Sequence, residues 1–236
     1  MKWTAPQAVE MTKREASLLY SHSFNQKRGK NPATAGPFGD AFLFGNYCIA
    51  VATRTTFILC TPGADQGGIP NEFCWTPKNR IVKHGQLAVG DLGTVAIETA
   101  ALGELAKVSA HNIRGATLYL AENGRFGVRR PLLDTDMFFD PKYLESRHKE
   151  WRRSIAETLK LEQPPHAPMW FNGNLLEIVG EVGRAAHGTT DKSPTVCVTM
   201  YAEKTQGGVA PKFVIEANGR NGCWFVMIEG LKTKVM

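Results

Sequence analysis

Two apolar runs near the end of the chain flank a short Asn-Gly segment, and this signal constrains the fold more than any other stretch. Phe213–Ile215 and Trp224–Ile228 lie on either side of Asn218-Gly219-Arg220-Asn221-Gly222. Asn-Gly between two strand-like runs is the strongest short-range signal for a β-hairpin. The sequence therefore predicts two antiparallel strands joined by a tight turn.

A helix and two further strands precede this hairpin. The segment 174–186 carries apolar residues at helical spacing, so one face of that helix should be buried. These apolar residues are Leu175, Ile178, Val179 and Val182. Met169–Phe171 is a short apolar run, and Val196–Met200 alternates as a strand does. The whole stretch predicts an α+β unit in which a helix lies on one face of an antiparallel sheet.

A shorter version of the same order occurs earlier in the chain. A strand at Val95–Ile97 leads into a helix at Ala100–Ala110, and a strand at Ala116–Glu122 turns back into Phe126–Arg129. Each version contains an Asn-Gly-Arg turn, at 123–125 and at 218–220. We interpret the two versions as duplicated βαβββ units, with one more strand in the later copy. Two unrelated patches of α+β structure are the alternative.

Length, charge and cysteine content bound the class of protein. The 236 residues suit one large domain or two small ones, and we predict a first domain at 1–140 and a second, with a reduced first half, at 141–236. The net charge of +6 favours a polyanionic partner, nucleic acid first. Five cysteines without a CxxC pair indicate a reducing, cytoplasmic setting. No signal peptide or membrane span is apparent, so no membrane partner is expected.

The first half of the chain predicts a helix, a loop and a group of strands. The helix runs over 5–20 with Thr4 as its N-cap, after a short strand at Met1–Trp3. The loop Ser23–Gly39 contains Lys27, Arg28 and Lys30, which could reach a phosphate or lie in solvent. Strands follow at Ala41–Phe44, Cys48–Thr53 and Thr56–Cys60, and Thr61–Gln86 is a long irregular connection.

A helix predicted at Pro141–Lys160 carries the clearest functional pattern. Four basic residues fall within about 40° of one another on the helical wheel, with no acidic residue between them. They are Lys142, Lys149, Arg153 and Lys160. A stripe of positive charge alone lacks the ion pairs that stabilise solvated helices. Contacts with a row of phosphates would compensate for the missing ion pairs. An ordinary solvated lysine face is the alternative.

Catalytic and metal-binding patterns are weak by comparison. Asp134, Asp136 and Asp140 lie close in sequence but do not form an EF-hand pattern, so we expect no metal. The pair Cys60 and His84 has no local support as a nucleophile and base. No Walker loop, GxGxxG, GxSxG or HExxH motif occurs. The sequence therefore predicts a binding protein without a cofactor, and not an enzyme.

Several of these segments resemble the half-domains of DNA polymerase sliding clamps of the bacterial β type. The features are the strand ending in Phe171-Asn172, the Leu-rich helix after it, the Pro-led strand Pro211–Ile215, the short Asn-Gly turn and the last strand Trp224–Ile228. Gly93–Asp136 similarly resembles the second half of a clamp's first domain. The resemblance is one of pattern across most of the chain.

The resemblance implies a closed ring in which helices line the hole and face duplex DNA, while sheets form the outer rim. A two-domain subunit of this kind implies a homotrimer that tethers a DNA polymerase through a peptide motif. The four candidate helices, at about 5–20, 99–110, 143–160 and 174–186, suit such a subunit. Besides the stripe, Lys13, Arg14, Lys107 and Arg184 would then be the weaker DNA-binding candidates. Contacts of this kind go to phosphates and read no sequence.

Three features depart from the clamp pattern, and three other functions stay open. The stretch that contains the predicted helix Pro141–Lys160 has hardly any strands before Leu161–Pro168, which breaks a regular fourfold repeat. Glu177 and Glu181 put acid on the last helix, and the chain is basic overall. The main alternative is a non-ring nucleic-acid-binding protein that uses the stripe and the basic loop. The others are an enzyme whose site combines residues distant in sequence, and a structural or virion protein.

Overall fold

The computed structural model describes thirteen stretches of the chain, which contain twelve strands and three helices. The stretches are 8–23, 40–45, 48–53, 55–62, 95–108, 116–121, 123–129, 136–142, 157–158, 174–188, 194–205, 208–219 and 221–229. The elements are β1 (Ala8–Met11), α1 (Lys13–Ser21), β2 (Ala41–Gly45), β3 (Cys48–Ala52), β4 (Thr56–Pro62), β5 (Val95–Glu98), α2 (Ala100–Val108), β6 (Ala116–Leu120), β7 (Phe126–Arg129), β8 (Met137–Phe139), β9 (Pro141–Lys142), α3 (Asn174–His187), β10 (Cys197–Thr205), β11 (Gly208–Gly219) and β12 (Gly222–Glu229).

Eight of the strands form one antiparallel sheet in the order β10-β11-β12-β4-β3-β2-β5-β9. The C-terminal hairpin is the predicted one, with Phe213 opposite Ile228 and Ile215 opposite Val226. Its turn closes where Gly219 faces Gly222, and Gly222 has a φ of 150°, a conformation that favours glycine. β12 then pairs with β4, so a strand from each predicted domain lies at the centre of the sheet.

The other four strands form a smaller antiparallel sheet in the order β1-β6-β7-β8. The β6–β7 hairpin turns through Asn123-Gly124-Arg125, where Gly124 has a φ of 79°. A single residue, Asp140, separates β8 at the edge of this sheet from β9 at the edge of the large one. The chain therefore joins the two sheets at that corner.

The core lies between the large sheet, the small sheet and the three helices. It contains Leu18 and Leu19 from α1, Leu102 and Leu105 from α2, and Val182 from α3. Facing them are large apolar side chains of both sheets, among them Trp224, Phe42, Phe44, Phe126 and Phe213. The rings of Phe44 and Phe126 meet edge to face, with centroids 5.9 Å apart, so the two sheets share one core.

The large sheet is also buried on its second face. Along β12, Trp224, Val226 and Ile228 face the helices, while Phe225 and Met227 on the opposite side are equally buried. A sheet with one solvated face would show buried and exposed residues in alternation. The strand β12 is therefore an interior strand, and the expectation that the sheets form the outer rim of a ring stays a prediction.

Two predicted helix starts are wrong. The segment that begins at Thr4 was expected to be helical throughout, but Ala8–Met11 is strand β1, with every second residue buried, and the helix begins after Thr12. The segment at Asp140 and Pro141 was expected to begin a helix, but Pro141 and Lys142 pair with Ile97 and Ala96 as strand β9. Proline is compatible with the first position of an edge strand, which explains the ambiguity.

The fold class is the expected mixed α+β with mostly antiparallel sheets. The helices and strands of both proposed βαβββ copies that lie in the described stretches are confirmed, but the two hairpins belong to different sheets, so the duplication stays a prediction. The large sheet crosses the boundary at 140/141, and that division into domains also stays a prediction. No helix in the described stretches is long and apolar enough to cross a membrane.

Several expectations lie outside the described residues. They are the strand at Met1–Trp3, the basic loop with Lys27, Arg28 and Lys30, most of Thr61–Gln86, the linker Leu161–Pro168, and the strand Met169–Phe171. Of the predicted helix at Pro141–Lys160, only 141–142 and 157–158 are described, and Glu157 and Thr158 are helical.

Candidate nucleic-acid interface

The three helices pack side by side, with α1 between α2 and α3. Tyr20 of α1 lies so close to Gly103 of α2 that a methyl group at position 103 would come within 2.9 Å of the Tyr20 ring. On the other side, His22 at the end of α1 lies 3.9 Å from the carboxylate of Glu181 on α3. The helices therefore form one layer, and candidate residues on all three belong to a single surface region.

A capping box fixes the beginning of α1. The Thr12 hydroxyl accepts a hydrogen bond from the Glu15 backbone N–H at 3.3 Å, and the Thr12 N–H donates to the Glu15 carboxylate at 2.8 Å. The carboxylate of Glu15 also accepts from the Thr12 hydroxyl at 3.0 Å, and Glu15 is fully buried. This cap satisfies backbone donors that a helix start leaves open. It also commits the one carboxylate of α1 to a structural role.

Lys13 and Arg14 occupy the first turn of α1, directly after the cap. Neither forms an ion pair or hydrogen bond in the part of the chain that the structure describes, and the Nη1 atom of Arg14 is buried without a hydrogen-bond partner. Cations at a helix N-terminus oppose the helix dipole, so this placement costs stability. A buried guanidinium N–H without an acceptor costs more. An anion beside the partly exposed side chains of Lys13 and Arg14 would relieve the first of these costs.

Lys107 and Arg184 lie on the flanking helices and are both exposed. Lys107 lies in the last turn of α2, and its ammonium pairs with the Glu104 carboxylate at 2.8 Å. This ion pair makes Lys107 less available to bind a phosphate. Arg184 lies in the last turn of α3, where its guanidinium passes over Gly180, and it forms no ion pair among the described residues. Arg184 is thus the second unpaired cationic position of the helix layer after the Lys13–Arg14 pair.

Lys142 does not belong to this layer, and its assignment to a helical stripe is wrong. It lies on β9, where its Nζ is 2.5 Å from Asp40 Oδ2 and 3.2 Å from Glu98 Oε1. Partial burial disfavours the charged ammonium, but the hydrogen bonds to the two carboxylates outweigh it and raise the pKa of Lys142 above its ordinary value. The other three members of the stripe, Lys149, Arg153 and Lys160, lie outside the described residues.

The small sheet carries a second group of charged and aromatic side chains that the sequence did not single out. Tyr119 donates its hydroxyl hydrogen bond to Asp136, while Arg129 lies 4.8 Å from the Tyr119 ring and 3.5 Å from Asp136. Burial first, and then the hydrogen bond to Asp136 and its charge, raise the pKa of the Tyr119 phenol, while Arg129 acts in the opposite direction. The pairing register of β6, β7 and β8 is the information from which this group could have been predicted.

An equivalent pair lies one step along the same sheet. Arg125 donates to Asp140 at 2.8 Å, and its guanidinium lies 5.8 Å from the centroid of the Phe138 ring. Each arginine on this sheet therefore has its own carboxylate and its own aromatic ring. Because these charges are mutually neutralised, this face offers less to a polyanion than the helix layer does.

The acidic group of Asp134, Asp136 and Asp140 is divided between these pairs. Asp136 binds Tyr119 and Arg129, Asp140 binds Arg125, and Asp134 lies outside the described residues. Within the described stretches there is no group of three histidine, cysteine or carboxylate side chains that could hold a metal ion. The chemistry that the described residues support is reversible binding of anions by unpaired cations.

Comparison with known proteins adds little to this geometry. No protein-family model and no curated protein sequence matches the chain. A solved structure that it resembles is the crystal structure of the beta subunit from DNA polymerase of Streptococcus pyogenes, with a TM-score of 0.37 and 8% sequence identity. The match covers 97% of this chain and 66% of that one. At this TM-score the similarity is weak, and a function has to be inferred from the residues of this chain.

Proposed function

We propose that the protein is a non-enzymatic DNA-binding factor whose helix layer holds the phosphate backbone of duplex DNA. The observation that carries this proposal is the pair Lys13 and Arg14 at the start of the central helix, both partly exposed and neither paired with a carboxylate among the described residues. Phosphate oxygens are strong acceptors, and the guanidinium fork matches their geometry. The net charge of +6 acts in the same direction.

The charges on the helix layer give a small net attraction for a polyanion such as DNA. Four cations, at positions 13, 14, 107 and 184, stand against three carboxylates that are not used in the cap, at 104, 177 and 181. Glu104 is held by Lys107, and Glu181 lies beside His22. Contacts of this kind are made to phosphates, so binding should be independent of base sequence and should weaken with salt.

The finer proposal is a sliding-clamp-like processivity factor that encircles duplex DNA and tethers a polymerase. It rests on the sequence resemblance and on the order strand, helix, strands, which the described residues show at β1-α1-β2 and at β5-α2-β6. Lys149, Arg153 and Lys160 would then add to the phosphate contacts, and a peptide motif of the polymerase would bind elsewhere on the subunit. The homotrimer that the resemblance implies also stays a prediction.

The first test replaces the two cations at the start of α1. In Lys13→Gln/Arg14→Gln, affinity for a duplex of about 30 base pairs, measured by fluorescence anisotropy at low salt, should fall at least ~10-fold. A control at a different place is Lys142→Gln, which removes one positive charge, half the change of the double variant, from an ion-paired site on β9. That control should bind as the unchanged protein does. Equal affinity for all three proteins would remove the helix layer from the proposal.

A second test separates a ring from an ordinary binding surface. The protein is loaded on nicked circular DNA and passed over a sizing column at moderate salt, before and after the circle is cut once. A ring should stay with the circle and leave the linear product. Retention that is the same on both forms would favour the non-ring nucleic-acid-binding protein. In that case the Lys149→Glu/Arg153→Glu variant tests whether the predicted stripe contributes.

A further inference from the structure

Strand β10 forms one edge of the large sheet, and none of the described strands pairs with its outer side. It is nine residues long, whereas β9 at the opposite edge has only two residues. An edge strand presents a row of backbone N–H and C=O groups that can pair with another strand. The length of β10 makes it the one large edge that the described part of this sheet leaves open.

Apolar side chains are exposed along this edge. Val198 and Met200 are 46% and 38% exposed, and they lie opposite Ile215 and Phe213, which belong to the core on the helix side of the sheet. On α3, Leu176 is 66% exposed. It precedes Gly183, which packs against Val196, by about two helical turns, so these two residues lie on the same side of α3.

The first six residues of β10 lack the side chains that usually keep edge strands apart, whereas Glu203 and Lys204 follow them. Natural proteins place lysine, proline or a bulge on such strands, or cover them. The six residues Cys197–Ala202 contain no charged residue and no proline, and β10 pairs with β11 residue for residue without a bulge. Exposed apolar side chains on an unprotected strand mark an interaction surface.

We propose that the outer edge of β10 pairs with β10 of a second copy of this chain, around a two-fold axis at Thr199. The two strands are then antiparallel, and the two large sheets join edge to edge. Both α3 helices lie on the same side of the joined sheet. The inference concerns assembly and does not depend on whether the helix layer binds DNA.

The order of residues on β10 makes this edge complementary to itself. In the two-fold register, Val198 of one copy faces Met200 of the other, and Thr199 faces Thr199, so apolar meets apolar and hydroxyl meets hydroxyl. The same register sets positions 203 and 204, Glu and Lys, at the level of Thr195 and Pro194 of the other copy. No two like charges face each other, which removes the usual obstacle to such a pairing.

A two-fold contact also constrains any ring. Contacts of this kind are isologous, so a closed ring that contains them holds an even number of copies. This inference and the homotrimer therefore predict different masses for the same particle. The mass in solution distinguishes them without reference to DNA.

The experiment measures mass by light scattering over a concentration series and compares three single variants. The unchanged protein should be a dimer or a higher even multiple of 26.0 kDa. Val198→Lys and Met200→Lys, which place repelling charges at the joint, should weaken the association at least ~10-fold. Phe138→Lys is the matched control, because Phe138 is 41% exposed and lies on β8, next to the opposite edge of the large sheet. Its mass should equal that of the unchanged protein.

A cross-link tests the register. The two copies of residue 199 face each other across a joint whose opposing Cα atoms lie about 4.5–5.5 Å apart, which suits a disulfide. Thr199→Cys in a Cys197→Ser background should therefore cross-link to a dimer under mild oxidation, while the background alone should not. Cys197 itself should not cross-link, because it faces Tyr201 of the other copy.

Either of two results overturns the inference. One is a particle that is a monomer or a trimer, and the other is a Thr199→Cys variant that cross-links no faster than its background. Neither bears on DNA binding, which is measured separately with Lys13→Gln/Arg14→Gln. If Met200→Lys loses the dimer and keeps its affinity for a short duplex, both proposals stand.

Discussion

Lys142 Nζ lies 2.5 Å from Asp40 Oδ2, although the two residues are 102 positions apart in sequence. The same ammonium reaches Glu98 at 3.2 Å. These bonds hold the two-residue strand β9 against β5 and the start of β2. On the other side of Asp140, the Arg125–Asp140 pair holds β8 to the small sheet. Ion pairs therefore fasten the corner where the chain passes between the sheets.

Replacing Lys142 with methionine should loosen this corner. Lys142 is partly exposed, as are both carboxylates, so solvent screens the pairs and the expected loss in the free energy of unfolding is about 1 kcal/mol. Urea denaturation measures it, and the midpoint should fall while the slope stays constant. Lys142→Arg is the matched control and should retain most of the stability. A loss as large for arginine as for methionine would mean that packing, and not charge, is responsible.

The pH dependence of stability should also show the contribution of the charged Lys142 side chain. Because the pKa of Lys142 is raised in the folded protein, the folded state holds the proton more tightly than the unfolded chain does. The stabilisation is fully present below the ordinary lysine value of about 10.4 and is lost as the pH rises through the folded-state pKa. As the pH rises above about 10.4, Lys142→Met should therefore lose less stability than the unchanged protein. Parallel curves for the two proteins would contradict this.

Gly127 on β7 is required by Tyr119 on the neighbouring strand. A methyl group at position 127 would lie 2.3 Å from the Tyr119 ring, which is too close for any side chain. Gly127→Ala should therefore destabilise the protein by about 1–3 kcal/mol. In a Tyr119→Ala background the same change should be neutral or stabilising, because alanine restricts the unfolded chain more than glycine does. A double-mutant cycle by chemical denaturation measures the coupling, and additive effects would exclude the proposed clash.

The N-cap of α1 should contribute more to the free energy of unfolding than a solvent-exposed cap does. Thr12→Ala removes the acceptor for the Glu15 N–H and one hydrogen bond to a carboxylate that is fully buried. We expect a loss of about 1–2 kcal/mol in the free energy of unfolding. Thr12→Ser keeps the hydroxyl and should lose much less. Similar losses for alanine and serine would show that the methyl group of Thr12, and not its hydroxyl, matters.

Local patterns predicted most of the elements but not how they meet. The runs at Ala41–Phe44 and Phe126–Arg129 are strands as expected, because alternating β-branched and aromatic residues and Asn-Gly turns act over a few residues. The start at Thr4 was wrong because two cap-like threonines precede the helix, and only Thr12 has a glutamate three positions later that completes the box. That glutamate, Glu15, was available in the sequence.

Long-range pairing was not available from any local pattern. Asp140 followed by Pro141 fits a helix start and an edge strand equally well, and the choice depends on β5, more than forty residues away. The pairing of β12 with β4 likewise joins segments that no short window contains. For the candidate site, the sequence could supply the cations Lys13 and Arg14. It could not show that they lack partners, because that depends on every carboxylate that the fold brings near.

The salt dependence of DNA binding should count the phosphate contacts of the helix layer. Each phosphate neutralised by a cation contributes about 0.9 to the slope of log affinity against log salt. Arg14→Gln and Arg184→Gln should each lower the slope by about that amount, because neither residue has a partner among the described residues that competes for it. Lys107→Gln should lower it less, because Lys107 already pairs with Glu104 at 2.8 Å. Anisotropy titrations from 50 to 300 mM salt give the slopes. An unchanged slope in Arg14→Gln would show that the guanidinium of Arg14 meets no phosphate, and would leave the region 143–160 as the place to search for the contact.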